Sequence, residues 1–86
     1  MAEVIIYSSG FCPYCTWAKK MLDEKQVEYR EIRIDTEVEA RQEMLARSNG
    51  AMTVPQIFIG DYHVGGYTDM LQLDDQGKLD PLLAQP

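Results

Sequence analysis

The sequence predicts an α/β fold, a four-stranded mixed sheet flanked by three helices in the order βαβαββα, and three observations lead to it. Two short runs, Val4 to Ile6 and Ile57 to Ile59, are apolar at every position, as expected of central strands covered on both faces. The segments after the first run carry apolar residues at helical spacing instead. Gly60-Asp61 directly after the second run is a hairpin signal that folds the next strand back antiparallel.

Glu3 to Tyr7 is the first strand. Ser8, Ser9 and Gly10 form a loop, and Pro13 falls in the first turn of a helix, where its missing N–H costs nothing. That helix runs to about Lys25, with Ala18, Met21 and Leu22 as its buried stripe and Trp17 beside Met21. Glu28 to Ile34 is the second strand, its alternation and charges suited to a sheet edge. A helix joins the first two strands, so they are parallel with a right-handed crossover.

Asp35 or Thr36 caps a second helix over Glu37 to Arg47, carrying Val38, Met44 and Leu45 inward and ending at Asn49-Gly50. Gln56 to Ile59 is the third strand and Tyr62 to Val64 a very short fourth. The last helix begins at Thr68 or Asp69, carries Met70, Leu71 and Leu73, and stops near Gly77. In the tail from Leu79 to Pro86, Leu82 and Leu83 are the candidates for packing, and Pro81 works against it.

The 86 residues make a single domain, 1–86, with 45% hydrophobic and 26% charged residues, an ordinary soluble composition. Fourteen acidic against eight basic residues give a net charge of -6, which argues against nucleic-acid and anionic-membrane partners. Val4 to Tyr7, the longest apolar run, is far below spanning length. Met1-Ala2-Glu3 does not resemble a secretory leader, so a cytoplasmic protein is expected, where a stable structural disulfide would not form.

The chemistry centres on Cys12 and Cys15, the only cysteines, three apart in Cys12-Pro13-Tyr14-Cys15 at a strand-to-helix junction. A bridge between them closes so short a loop that it is worth only roughly 2 kcal/mol, which points to redox use rather than stability. The thiolate is the attacking species, and a helix N-terminus stabilises negative charge. Cys12 is therefore the nucleophile and the more buried Cys15 the resolving thiol. Two incidental core cysteines are the plain alternative. A structural zinc site needs about four ligands, and His63 is the one histidine, so no metal is expected.

Two further stretches have two readings each. In Thr53-Val54-Pro55, either Pro55 simply opens a strand, or the Val54 backbone is left free to pair with an extended ligand. In Gly65-Gly66-Tyr67-Thr68-Asp69, either a turn is capped by Thr68 or Asp69, or backbone N–H groups receive a carboxylate while Asp69 holds an ammonium. His63 reads as a plain hairpin residue.

Cys12-Pro13-Tyr14-Cys15, Thr53-Val54-Pro55 and Gly65-Gly66-x-x-Asp69, in this order and at these separations, resemble the dithiol glutaredoxins over essentially the whole chain. The resemblance implies the thioredoxin-like fold and a glutathione-dependent oxidoreductase acting on protein disulfides and protein–glutathione mixed disulfides, with glutathione as reducing co-substrate and a monomeric state. It implies that Pro55 is cis, that the Val54 backbone pairs with the cysteine of glutathione, that Thr68 and Asp69 with the helix N–H groups hold its γ-glutamyl end, and that Tyr14, Thr53, Pro55, Gly66 and Tyr67 complete the glutathione site. Many relatives carry a lysine shortly before the first cysteine. Here Ser8 and Ser9 stand there, which leaves the helix end to activate Cys12 and Gln42, with Arg41 beside it, to meet the glycyl carboxylate. Tyr67 replaces a frequent third cysteine. Two rivals are a redoxin fed by thioredoxin reductase and an iron–sulfur carrier in which Cys12 and glutathione of two subunits share a cluster.

Overall fold

The computed structural model describes residues 2–85; Met1 of the acidic start and Pro86 of the tail lie outside them. Four strands, β1 (Val4–Ser8), β2 (Arg30–Arg33), β3 (Gln56–Ile59) and β4 (Tyr62–Gly65), form one sheet in the order β2-β1-β3-β4. β1 runs parallel to β2 and antiparallel to β3, and β3 is antiparallel to β4. The helices are α1 (Pro13–Glu24), α2 (Val38–Arg47), α3 (Tyr67–Asp75) and α4 (Leu79–Leu83). Among the described residues, no helix is long and apolar enough to cross a membrane.

Alternation along the strands explains the unbroken apolar runs. Val4, Ile6, Ile57 and Ile59 point to one core, shared with Ala18 and Leu22 of α1, Met70 of α3, and Leu79 and Leu83 of α4. Ile5, Tyr7 and Phe58 point to the other, shared with Ile32, Ile34, and Ala40 and Met44 of α2. Each central strand thus faces a helical layer on both sides, and no position along it is left for a polar residue to meet water. The edge strand β2 pairs only with β1, and its charged residues lie on that margin as expected.

The structure departs from the sequence reading in several places. Neither Asp35 nor Thr36 caps α2; its N-cap is Glu37, which makes no side-chain cap bond, because Asp35 is held by Arg33 and the Gly10 N–H. Val38 is 88% exposed. The buried residues of α2 are Ala40 and Met44, one turn apart, and Val38 lies about 200° around the helix from Ala40. α3 starts at Tyr67, with Gly66 at its N-cap, and its Leu71 faces outward.

The tail adds a fourth helix to the three expected. Pro81 sits in its first turn, where the missing N–H had no helical partner to lose. Leu79 and Leu83 are the buried anchors, and Leu82 is only partly covered.

Candidate active site

β1 ends at Ser8 and the chain turns through Gly10 and Phe11 into α1. Cys12 is the N-cap residue, extended at φ -145 and ψ 94, with Pro13 at the first helical position. The Cys15 N–H donates to the Cys12 Sγ at 3.1 Å, so the sulfur itself caps the helix. The two sulfurs are bonded to each other across a Cα–Cα distance of 5.1 Å. Cys15 is 1% exposed, whereas Cys12 is partly open. No acidic residue stands in the first turn of α1, so nothing there opposes negative charge on Cys12.

The loop before Cys12 is tied at two points to the β2 margin. The buried Ser8 hydroxyl donates to Glu31 Oε2 at 2.5 Å, and Lys19 Nζ reaches the same oxygen at 2.9 Å. These two bonds hold the Glu31 carboxyl below its ordinary range. The Arg33 guanidinium grips both oxygens of Asp35 at 2.8 and 2.7 Å and is the main reason that carboxyl is pushed down to about 2, with the Gly10 N–H adding a bond of 3.0 Å. Lys19 and Arg33 are thereby engaged with carboxylates. Ser8, in the stretch where a lysine was missed, is turned inward.

Opposite Cys12 lies the Val54-Pro55 peptide, which is cis; Cys12 Sγ is 3.7 Å from the Val54 carbonyl oxygen. Sheet pairing of β3 with β1 ends at Gln56, so the Val54 backbone is not used by the ladder. At the third corner, Gly65 has φ +103, and a Cβ there would come within 2.6 Å of Asp69 Oδ2. That oxygen accepts the Gly66 N–H at 2.8 Å. The close turn leaves the N–H groups of the first turn of α3 facing outward, beyond the helical ladder.

A cavity of about 510 Å³ lies between the Val54-Pro55 segment and the Gly65–Asp69 corner, and Cys12 adjoins it through the Val54 carbonyl. Tyr14, Thr53, Val54, Pro55, Gly66, Tyr67, Thr68 and Asp69 all line it. Gln42 and Arg41 do not; they lie on the exposed side of α2. The sequence reading missed Gln56 and His63, which also line the cavity. His63 is not a plain hairpin residue: its Nε2 lies 2.6 Å from Gln56 Oε1 and its ring stacks on Phe58 at 4.7 Å. Gln56, polar in a strand of Ile57, Phe58 and Ile59, was the available signal, since a buried amide demands partners.

Trp17 shares a surface hollow with Met21, as expected, and has aromatic partners besides. It is 49% exposed and meets Tyr14 at 5.2 Å and Tyr67 at 6.0 Å, forming an aromatic group on the cavity's rim. Tyr67 closes the group against Tyr14 at 6.2 Å.

The glutaredoxin family model matches residues 4–64. The chain is 51% identical over 83 residues to glutaredoxin 3 of Escherichia coli K12, covering 96% of this chain and 99% of that protein. It is 50% identical over 84 residues to a glutaredoxin of Pseudomonas aeruginosa, covering 98% and 99%. Among solved structures, it resembles the solution structure of glutaredoxin from Brucella melitensis, with TM-score 0.81 and 51% identity over 96% of this chain and 89% of that one. A buckwheat glutaredoxin–glutathione complex matches with TM-score 0.84 and 34% identity, over 95% and 76%. The four-stranded mixed sheet with its helices is the thioredoxin-like fold of these proteins.

Proposed function

The chain belongs to the glutaredoxin family of thiol–disulfide oxidoreductases, and from that premise we propose that glutathione is its reductant and that protein disulfides and protein–glutathione mixed disulfides are its substrates. The observation that carries this reading is the cavity itself. One hollow beside Cys12 contains an unused extended backbone at Val54, the amino end of α3 and the carboxylate of Asp69. An extended backbone pairs with the cysteinyl unit of glutathione. A helix amino end takes a carboxylate and Asp69 an ammonium, the two charges of a γ-glutamyl end. The buckwheat relative was solved as a glutathione complex.

In this mechanism the Cys12 thiolate attacks the glutathione sulfur of a mixed disulfide. The substrate sulfur leaves as a thiolate and takes a proton, and Cys12 becomes glutathionylated. A second glutathione thiolate attacks that glutathione sulfur, yielding oxidised glutathione and freeing Cys12. With a protein disulfide, Cys12 forms a mixed disulfide with one substrate sulfur. Cys15 attacks Cys12 and expels the second product thiol, leaving the Cys12–Cys15 bond that the structure contains. Two glutathiones then reduce that bond. Tyr14, Thr53, Val54, Pro55, Gly66, Tyr67, Thr68 and Asp69 form the glutathione site, and Gln42 meets only the far, glycyl end. The protein acts in the cytoplasm as a monomer, where the glutathione pool supplies the electrons.

A coupled assay with glutathione, glutathione reductase and NADPH tests this. Cys12→Ser loses both activities, whereas Cys15→Ser keeps deglutathionylation and loses most dithiol reduction. Normal turnover of a glutathionylated peptide by Cys12→Ser would reverse the assigned roles. No turnover of the unaltered protein with glutathione, but turnover with thioredoxin reductase, would remove glutathione as the reductant.

A further inference from the structure

Gln56 is 4% exposed, yet every polar atom of its side chain has a partner. Nε2 donates to the Thr53 carbonyl at 2.9 Å and to the Thr53 Oγ1 at 3.2 Å. A carbonyl oxygen can only accept, so the amide nitrogen must face Thr53 and Oε1 must face His63. His63 Nε2, 2.6 Å from Oε1, must then carry its hydrogen. This fixes the tautomer in the neutral ring, and the charged ring donates from the same atom. The connection therefore runs from His63 through Gln56 to the peptide plane between Thr53 and Val54, whichever protonation state His63 adopts.

That peptide plane is the one that counts. Rotating the Thr53 carbonyl necessarily rotates the Val54 N–H, since both belong to one planar unit. Val54 lines the cavity and adjoins Cys12, with its own carbonyl 3.7 Å from the sulfur. The other end of the connection is equally constrained, because the His63 ring is stacked on Phe58, its cross-strand neighbour, with the two planes 17° apart.

We propose that His63 and Gln56 are positioning residues that fix the Val54 N–H in the direction that receives the ligand's backbone. The proposal rests on the glutathione reading above and adds to it the groups that preorganise the receiving strand. Holding that peptide in place before binding removes an ordering cost that a loose loop would meet with each ligand.

The test separates the hydrogen bond from the packing. His63→Phe keeps a flat ring against Phe58 and removes the donor. His63→Gln restores an N–H at similar reach without the ring. Gln56→Met removes both ends of the connection at nearly constant volume. In the coupled assay, His63→Phe and Gln56→Met raise KM for glutathione about five- to tenfold with kcat within about twofold, the pattern of lost uniform binding. His63→Gln returns KM to within about twofold of the original.

The Val54 and Thr53 amide resonances of the ligand-free protein shift in His63→Phe and return towards their original positions in His63→Gln. An unchanged KM in His63→Phe overturns the proposal, as do unmoved Val54 and Thr53 resonances. So does equal impairment in the Phe and Gln variants together with a lowered Tm, which would make His63 a hairpin packing residue only. If the resonances move but the unaltered protein does not turn over with glutathione, the glutathione reading has failed and the conformational half of the proposal stands.

Discussion

Gly65 shows how much one residue's backbone decides at this site. Its φ of +103 lies where a side chain is strained, and the open space above its Cα is filled by the Asp69 carboxylate. Gly65→Ala should therefore be destabilising by about 1–3 kcal/mol, read by urea denaturation, and should weaken glutathione binding because Asp69 must move off the Gly66 N–H. Gly65-Gly66 was legible in the sequence as a break next to a helix start. What could not be read was which glycine needed the positive φ, since that depends on where Asp69 comes to lie. The cysteines were fully legible, spacing and helix start included. Gln56 and His63 were not, because a strand polar residue and a hairpin histidine acquire meaning only when two strands place them 2.6 Å apart.

Among the elements, α1 follows from sequence signals alone: Pro13 at its first position and Cys12 at its cap place the sulfur at the amino end. α2 does not. Of its two expected caps, Asp35 is held by Arg33 and the Gly10 N–H, and Glu37 takes the cap position instead, extended at φ -111 and ψ 103 with no side-chain bond. A short hydroxyl suits that geometry where the longer glutamate does not. Glu37→Ser should thus raise stability by about 0.5–1 kcal/mol, seen as a higher Tm in a thermal melt with turnover unaffected. An unchanged or lower Tm would mean that water already satisfies the first turn.

At the scale of the whole molecule, the tail closes the core under the site. Leu79 is fully buried among residues of β1, α1 and α3, and Lys25 bridges Asp74 and Asp80 at 2.8 and 2.9 Å, tying the end of α1 to α3 and α4. Those carboxylates, Asp74 first, raise the Lys25 pKa. Because the folded-state pKa is raised, the stability that the charged lysine gains from these partners is undiminished from neutrality up to its ordinary value of 10.5 and is lost as pH rises through the raised one, so Lys25 does not tune stability near neutrality. Leu79→Ala should cost about 2–5 kcal/mol, as for other buried leucines, measured as a lower urea midpoint with an unchanged slope. A cost below about 0.5 kcal/mol, the scale of surface substitutions, would show that α4 is a dispensable cover.

Local period, turn chemistry and spacing along the chain were enough for the succession of elements, the central and edge strands, the cysteine pair at a helix start and the motifs around it. Tertiary structure alone decided the rest. It turned Val38 out and Leu79 in, engaged Lys19 and Arg33 with carboxylates beside the Cys12 loop, and linked His63 through Gln56 to the Thr53–Val54 peptide. Each of these depends on which groups from distant parts of the chain compete for the same partner, and that competition is settled only when the sheet brings them within hydrogen-bonding distance.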